Sequence, residues 1–147
     1  MGNGTDELIR ILCTATLGPE DEVIFADPSF VMYKISAMVA DAGLVTVGLR
    51  QDMSHDIPAM LDRVTDRTKL IFVCNPNNPT GTITKKDDIQ QLIDKAPDHA
   101  LIVFDEAYYE YADDPEYPDT MEYFKAGKNV VLLRTFSKVY GLAGLRV

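Results

Sequence analysis

Short apolar, β-branched runs alternate along the chain with amphipathic stretches. The runs are Glu22–Ala26, Leu44–Leu49, Lys69–Cys74, Ala100–Phe104 and Asn129–Arg134. Four of them lack polar alternation, as strands covered on both faces do. Between them the spacing of apolar positions predicts helices over Asp6–Leu17, Phe30–Asp41, Ile57–Val64, Lys85–Asp94 and Thr120–Lys125. Thr5 or Asp6 can cap the first helix, and Thr84 with Asp87 forms a capping-box-like start for the fourth. Gly18-Pro19 and Ala42-Gly43 stop two of the helices. This alternation predicts an α/β, three-layer fold: a mainly parallel sheet with helices on both faces. No linker, low-complexity tract or internal repeat divides it.

Composition narrows the class without changing it. A chain of 147 residues suits one domain, burying about 68–70% of its unfolded surface. The net charge of −9 argues against a nucleic-acid surface, which needs a basic stripe. Many of the acids fall between Asp105 and Glu122 and are expected to form a solvated face. Cys13 and Cys74 lie in apolar runs, so buried free thiols are expected, and no zinc-type spacing exists. His55 and His99 have no partner pattern and read as surface or packing residues. Residues 1–7 are polar and acidic, unlike a signal peptide, and no apolar run approaches the roughly 20 residues of a membrane span. A cytoplasmic protein is expected. The chain opens on a glycine-rich turn with no strand before it and stops nine residues after Lys138, the pattern of a fragment.

The candidate chemistry sits where a parallel sheet binds ligands, at the carboxyl ends of strands. After the third strand comes Asn75-Pro76-Asn77-Asn78-Pro79-Thr80-Gly81; after the fourth, Asp105-Glu106-Ala107-Tyr108; after the fifth, Thr135-Phe136-Ser137-Lys138, with Arg146 eight residues beyond the lysine. Singly, each has a bland explanation as a rigid turn, a cap or a solvated lysine. Together they suit a carbonyl cofactor held as an imine. A lysine must form the imine. A carboxylate must keep the ring nitrogen protonated. A phenol and an amide must bond the ring hydroxyl, and donors with a cation must hold a phosphate, ideally at a helix N-terminus.

In these motifs the sequence resembles a fold-type I, class I/II aminotransferase dependent on pyridoxal 5'-phosphate, and is most similar to the histidinol-phosphate branch of that family. The match is carried by Gly2-Asn3-Gly4-Thr5-Asp6-Glu7-Leu8-Ile9, Asp27-Pro28-Ser29-Phe30, Asn75–Gly81, Asp105–Tyr109, Arg134–Lys138 and Gly141–Val147. The seven-residue loop and the Ser-Lys…Arg element are highly specific. The resemblance implies that Lys138 forms the imine and shuttles the proton, while Asp105 pairs with the pyridine nitrogen. It gives Asn78 and Tyr108 the ring hydroxyl and Phe30 the ring face. It assigns the phosphate to the backbone N–H groups of Thr5 and Asp6 and to Thr135, Ser137 and Arg146.

The resemblance also implies strand order 2-1-3-4-5 and an incomplete large domain over residues 1–147. The family's small domain, with the arginine for the substrate carboxylate, would be absent, and so would the neighbouring subunit's tyrosine near the phosphate. A homodimeric parent enzyme is implied, and the chain alone is expected to be inactive. Its expected reaction moves an amino group between an amine such as histidinol phosphate and a 2-oxo acid such as 2-oxoglutarate, in histidine biosynthesis. Other expectations are an aromatic or branched-chain aminotransferase, a phosphothreonine decarboxylase, or a non-catalytic cofactor-binding module.

Overall fold

A computed structural model describes residues 1–146. Val147, the last residue of the sequence match, lies outside the described residues. Five strands form one sheet: β1 (Glu22–Asp27), β2 (Gly43–Gly48), β3 (Thr68–Cys74), β4 (Leu101–Asp105) and β5 (Val130–Leu133). Their spatial order is β2-β1-β3-β4-β5, and every neighbouring pair is parallel. The helices are α1 (Gly4–Thr16), α2 (Met32–Val39), α3 (Ile57–Leu61), α4 (Lys86–Lys95) and α5 (Thr120–Lys125). Both the fold class and the strand order agree with the reading of the sequence.

The strands explain the layering. In β1, β3 and β4 nearly every residue is buried, so alternate side chains feed two separate cores. On one face Val23, Phe25, Leu70, Phe72 and Val103 pack under Ile9 and Cys13 of α1 and Tyr33 and Ala37 of α2. On the other, Ile24, Ile71, Val73, Ile102 and Phe104 pack under Ile57 and Met60 of α3 and Ile89 and Leu92 of α4. The edge strand β2 is the most exposed of the five. Both cysteines are buried free thiols. His55 is a buried packing residue and His99 is exposed.

Two helix caps differ from the sequence reading, and α2 starts two residues later than the spacing predicts, at Met32. Helix α1 begins at Gly4, with Asn3 at its cap and no side-chain cap bond, because Gly4 at φ +70° turns the chain inward early. Thr5 is then buried inside the first turn, and the Glu7 carboxylate accepts the Asn3 N–H at 2.7 Å. Thr84 does not cap α4 either. Its backbone is held by the Asn75 side chain in two 2.9 Å hydrogen bonds, and α4 starts two residues later behind an extended Lys85. The acidic stretch is also divided: Asp105 and Glu106 are buried, whereas Asp113, Asp114, Asp119 and Glu122 are exposed. Among the described residues no helix is long and apolar enough to cross a membrane.

Candidate active site

The strand order reverses between β1 and β3, so their outgoing connections diverge and leave a crevice at the carboxyl edge. A narrow cleft of about 50 Å³ lies there, lined by Thr5, Asp6, Phe30, Cys74, Asn78, Asp105, Ala107, Tyr108 and Lys138. Seven of the ten residues singled out from the sequence thus meet in one place. The other three do not line it: Thr135 and Ser137 lie on the turn leading to Lys138, and Arg146 bonds Asn3 at the start of α1. A wider depression of about 390 Å³ adjoins the cleft and shares Asn78 and Tyr108 with it. It lacks the buried carboxylate and the lysine, both of which line the narrower cleft.

Asp105 ends β4 and is 2% exposed. Its Oδ2 accepts the Tyr33 hydroxyl at 2.7 Å and its Oδ1 accepts the Ala107 N–H at 3.2 Å. Burial pushes its pKa from 3.8 up to about 6, against the pull of those two donors. The carboxylate is therefore poised for a cationic partner, which would restore the charge stabilisation that burial removed.

The Asn75–Gly81 loop is held by side-chain as well as backbone hydrogen bonds. Asn77 Oδ1 accepts from Ser29 Oγ at 2.8 Å and lies 3.3 Å from His55 Nε2. Its Nδ2 donates to Thr80 Oγ1 at 2.9 Å and Pro28 O at 3.3 Å. Gly81 closes the loop at φ +72°, a conformation that favours glycine, with its N–H on Asn77 O at 2.8 Å. The Tyr117 hydroxyl donates to Asn75 O at 2.6 Å. Asn77 is spent on structure, which leaves Asn78 facing the cleft.

Lys138 follows β5 on a compact turn. Thr135 Oγ1 accepts the Ser137 N–H at 3.1 Å and donates to Ser137 Oγ at 2.9 Å, and Gly141 N–H closes on Lys138 O at 2.9 Å. Lys138 Nζ lies 5.1 Å from the centre of the Tyr108 ring, within range for a cation–π contact. A half-buried clamp ties this turn to the Asp105 loop. Glu106, 1% exposed, accepts from Thr120 Oγ1 and from Arg134 Nε at 2.7 Å. The Arg134 guanidinium covers the Tyr109 ring at 3.9 Å.

Arg146 reaches back across the chain to the start of α1. Its Nε donates to Asn3 Oδ1 at 2.7 Å and its Nη2 to Asn3 O at 3.2 Å. Gly4 stands at φ +70°, a conformation that favours glycine, and a Cβ there would lie 3.2 Å from Nη2. With no side-chain cap on its first turn, α1 presents orphan N–H groups beside a guanidinium, an arrangement suited to a phosphate. The phosphate cradle, the buried acid and the cleft lysine fit pyridoxal phosphate.

Sequence reasoning missed Tyr33, Asn75, Asn77 and the Glu106–Arg134 pair. Tyr33 carried a usable signal, since it is a polar-tipped aromatic one helical turn after Phe30. The others sit beside predicted residues, and their roles depend on contacts from distant segments.

The chain belongs to the aminotransferase class I and II family, whose model matches residues 1–147. Among curated relatives it is 46% identical to a histidinol-phosphate aminotransferase of Bacillus velezensis over 99% of its length. It is 50% identical to an aromatic amino acid aminotransferase of Streptomyces avermitilis, also over 99%. It spans 41% of the length of each of these relatives. Among solved structures, a histidinol-phosphate aminotransferase from Sinorhizobium meliloti in complex with pyridoxal-5'-phosphate superposes with a TM-score of 0.89 at 29% identity. That match covers 99% of this chain and 39% of the other.

Proposed function

We propose that the chain is the cofactor-binding large domain, in part, of a pyridoxal-phosphate-dependent aminotransferase acting between an amine such as histidinol phosphate and a 2-oxo acid such as 2-oxoglutarate. The observation that carries this reading is the convergence of a buried acid, Asp105, and a lysine, Lys138, on one cleft at the sheet's switch point. Bound there, the cofactor supplies an electron-accepting ring and a carbonyl for amine exchange.

The chain's own residues divide the remaining work. The Asp105 carboxylate holds a proton on the ring nitrogen, a pairing that offsets its own desolvation. Asn78 and Tyr108 bond the ring hydroxyl, and Phe30 covers the ring face. The N–H groups of Thr5 and Asp6, with Thr135, Ser137 and Arg146, hold the phosphate. Lys138 Nζ anchors the cofactor covalently and carries the proton during transfer. The resemblance further implies a cytoplasmic homodimer whose other segments bind the substrate carboxylate.

A second reading, an aromatic amino-acid aminotransferase, is favoured by the 50% identity to the Streptomyces avermitilis relative. Both readings use the same cofactor residues. Steady-state rates of the full-length protein with histidinol phosphate and with phenylalanine or tyrosine separate them. A specificity ratio above tenfold for histidinol phosphate supports the first reading, and the reverse ratio supports the second. No amino transfer with any of these donors overturns both.

A further inference from the structure

We infer that Tyr33 is a positioning residue for Asp105: its buried phenol fixes the carboxylate that faces the cofactor, and its ring ties that carboxylate to Phe30. This rests on the cofactor reading above. Tyr33 is fully buried on α2. A hydroxyl so placed costs stability unless it is bonded, and here it donates to Asp105 Oδ2 at 2.7 Å, across 72 residues of sequence. The ring cannot swing away. It stacks on the fully buried Phe72 at 4.4 Å and 13° and meets Phe30 edge-on at 5.8 Å and 85°. One side chain therefore joins α2, β3 and the end of β4.

Phenylalanine would fill the same volume, so the hydroxyl needs its own explanation. The groups that act on Asp105 come from four places. Asp6 of α1 and Glu106 of its own loop oppose ionisation, as does burial. Cys74 of β3 is a neutral thiol, pushed up to about 12 by burial. Tyr33 of α2 and the Ala107 N–H favour the charged form. The phenol is itself held well above its ordinary range by burial and by Asp105, so it remains a donor at every working pH. Among the described residues Tyr33 is thus the side chain whose hydrogen bond favours the ionised form needed opposite a protonated ring nitrogen.

The test uses the full-length protein, with pyridoxal phosphate as the probe and equilibrium dialysis from pH 5 to 8.5. Wild-type affinity weakens as pH falls through the range where Asp105 is protonated. In Tyr33→Phe that acidic limb moves up by about one pH unit, the loss expected for one hydrogen bond to a charged group. Affinity at pH 8 changes by less than about threefold, since both proteins are then ionised. Comparing the two proteins cancels titration of the cofactor's own phosphate. In an Asp105→Asn background the Tyr33→Phe change shifts nothing further, because its route is gone.

An unmoved limb, or an equal loss of affinity at every pH and in both backgrounds, overturns the role of Tyr33 while leaving the cofactor reading intact. A wild-type protein that takes up no pyridoxal phosphate overturns the cofactor reading itself. Should Tyr33→Phe fail to fold, 3-fluorotyrosine placed at position 33 tests the same bond in nearly the same volume. Its more acidic phenol moves the limb down, and an unmoved limb again overturns the role.

Discussion

Asp105→Asn should make the cofactor-free protein more stable at neutral pH, because the wild-type carboxylate is held ionised where burial opposes it. Its pKa is 3.8 without burial and about 6 in the fold. A group whose folded pKa is raised binds protons more tightly in the native state, so its stabilising effect is complete below pH 3.8 and is lost as pH rises to 6. That difference corresponds to about 3 kcal/mol at ~1.4 kcal/mol per pH unit. Asparagine keeps one acceptor for two donors, Tyr33 Oη and the Ala107 N–H, and the unmet donor returns about 1–2 kcal/mol of the gain. The net effect at pH 7.5 is about 1–2 kcal/mol, or roughly 2–8 °C in Tm for a chain of this size. Thermal melts of both cofactor-free proteins from pH 4 to 8 measure it. The gap between them should open from pH 4 to 6 and stay level above. Added pyridoxal phosphate should reverse the order, since only the wild type offers the ring nitrogen a charged partner. A gap constant with pH, or a variant less stable than wild type at pH 7.5, would refute the reasoning.

Three further outcomes are expected. Gly4→Ala forces an alanine into φ +70° with its Cβ 3.2 Å from Arg146 Nη2. It should cost about 1–2 kcal/mol in a denaturant titration and weaken inorganic phosphate as a competitor for the site. Glu106→Gln removes the charge between Thr120 and Arg134; because Arg134 is about a third exposed, the loss should be nearer 1–2 kcal/mol than the ~3–5 of a fully buried pair. A melt within 1 °C of wild type would show that the clamp contributes nothing. Strand β5 is an edge of the sheet, with Val131 and Leu132 half-buried and no proline, glycine or charge between Val130 and Leu133. The 147-residue chain should therefore self-associate, and light scattering that stays monomeric over a hundredfold concentration range would contradict this.

The strands were legible in the sequence because burial on both faces leaves nearly unbroken apolar runs, and each predicted boundary falls within one residue of the observed one. Helix starts were less legible. Thr5 and Thr84 are plausible caps by residue type, but Gly4 starts α1 early and Asn75 captures Thr84 from nine residues away. The cleft residues were legible as motifs because they stand in unusual combinations at or beside strand ends, where a parallel sheet binds ligands. Their supports were not. Tyr33 meets Asp105 across 72 residues and Asn77 meets Ser29 across 48, and no local pattern encodes such pairs. The acids of residues 105–122 show the same limit, since composition cannot tell that Glu106 points inward to Arg134 while Asp113 faces water.

Lys138 is the proposed covalent anchor for pyridoxal phosphate. The direct measurement is borohydride reduction of the full-length protein after incubation with the cofactor, followed by peptide mapping of the label. Of the eight lysines in this chain, only Lys138 lines the cleft that holds Asp105. The account predicts one labelled peptide within the chain, carrying the label at Lys138, and no label there in Lys138→Ala. Label spread evenly over the exposed lysines, or retained at full level in the variant, would contradict it.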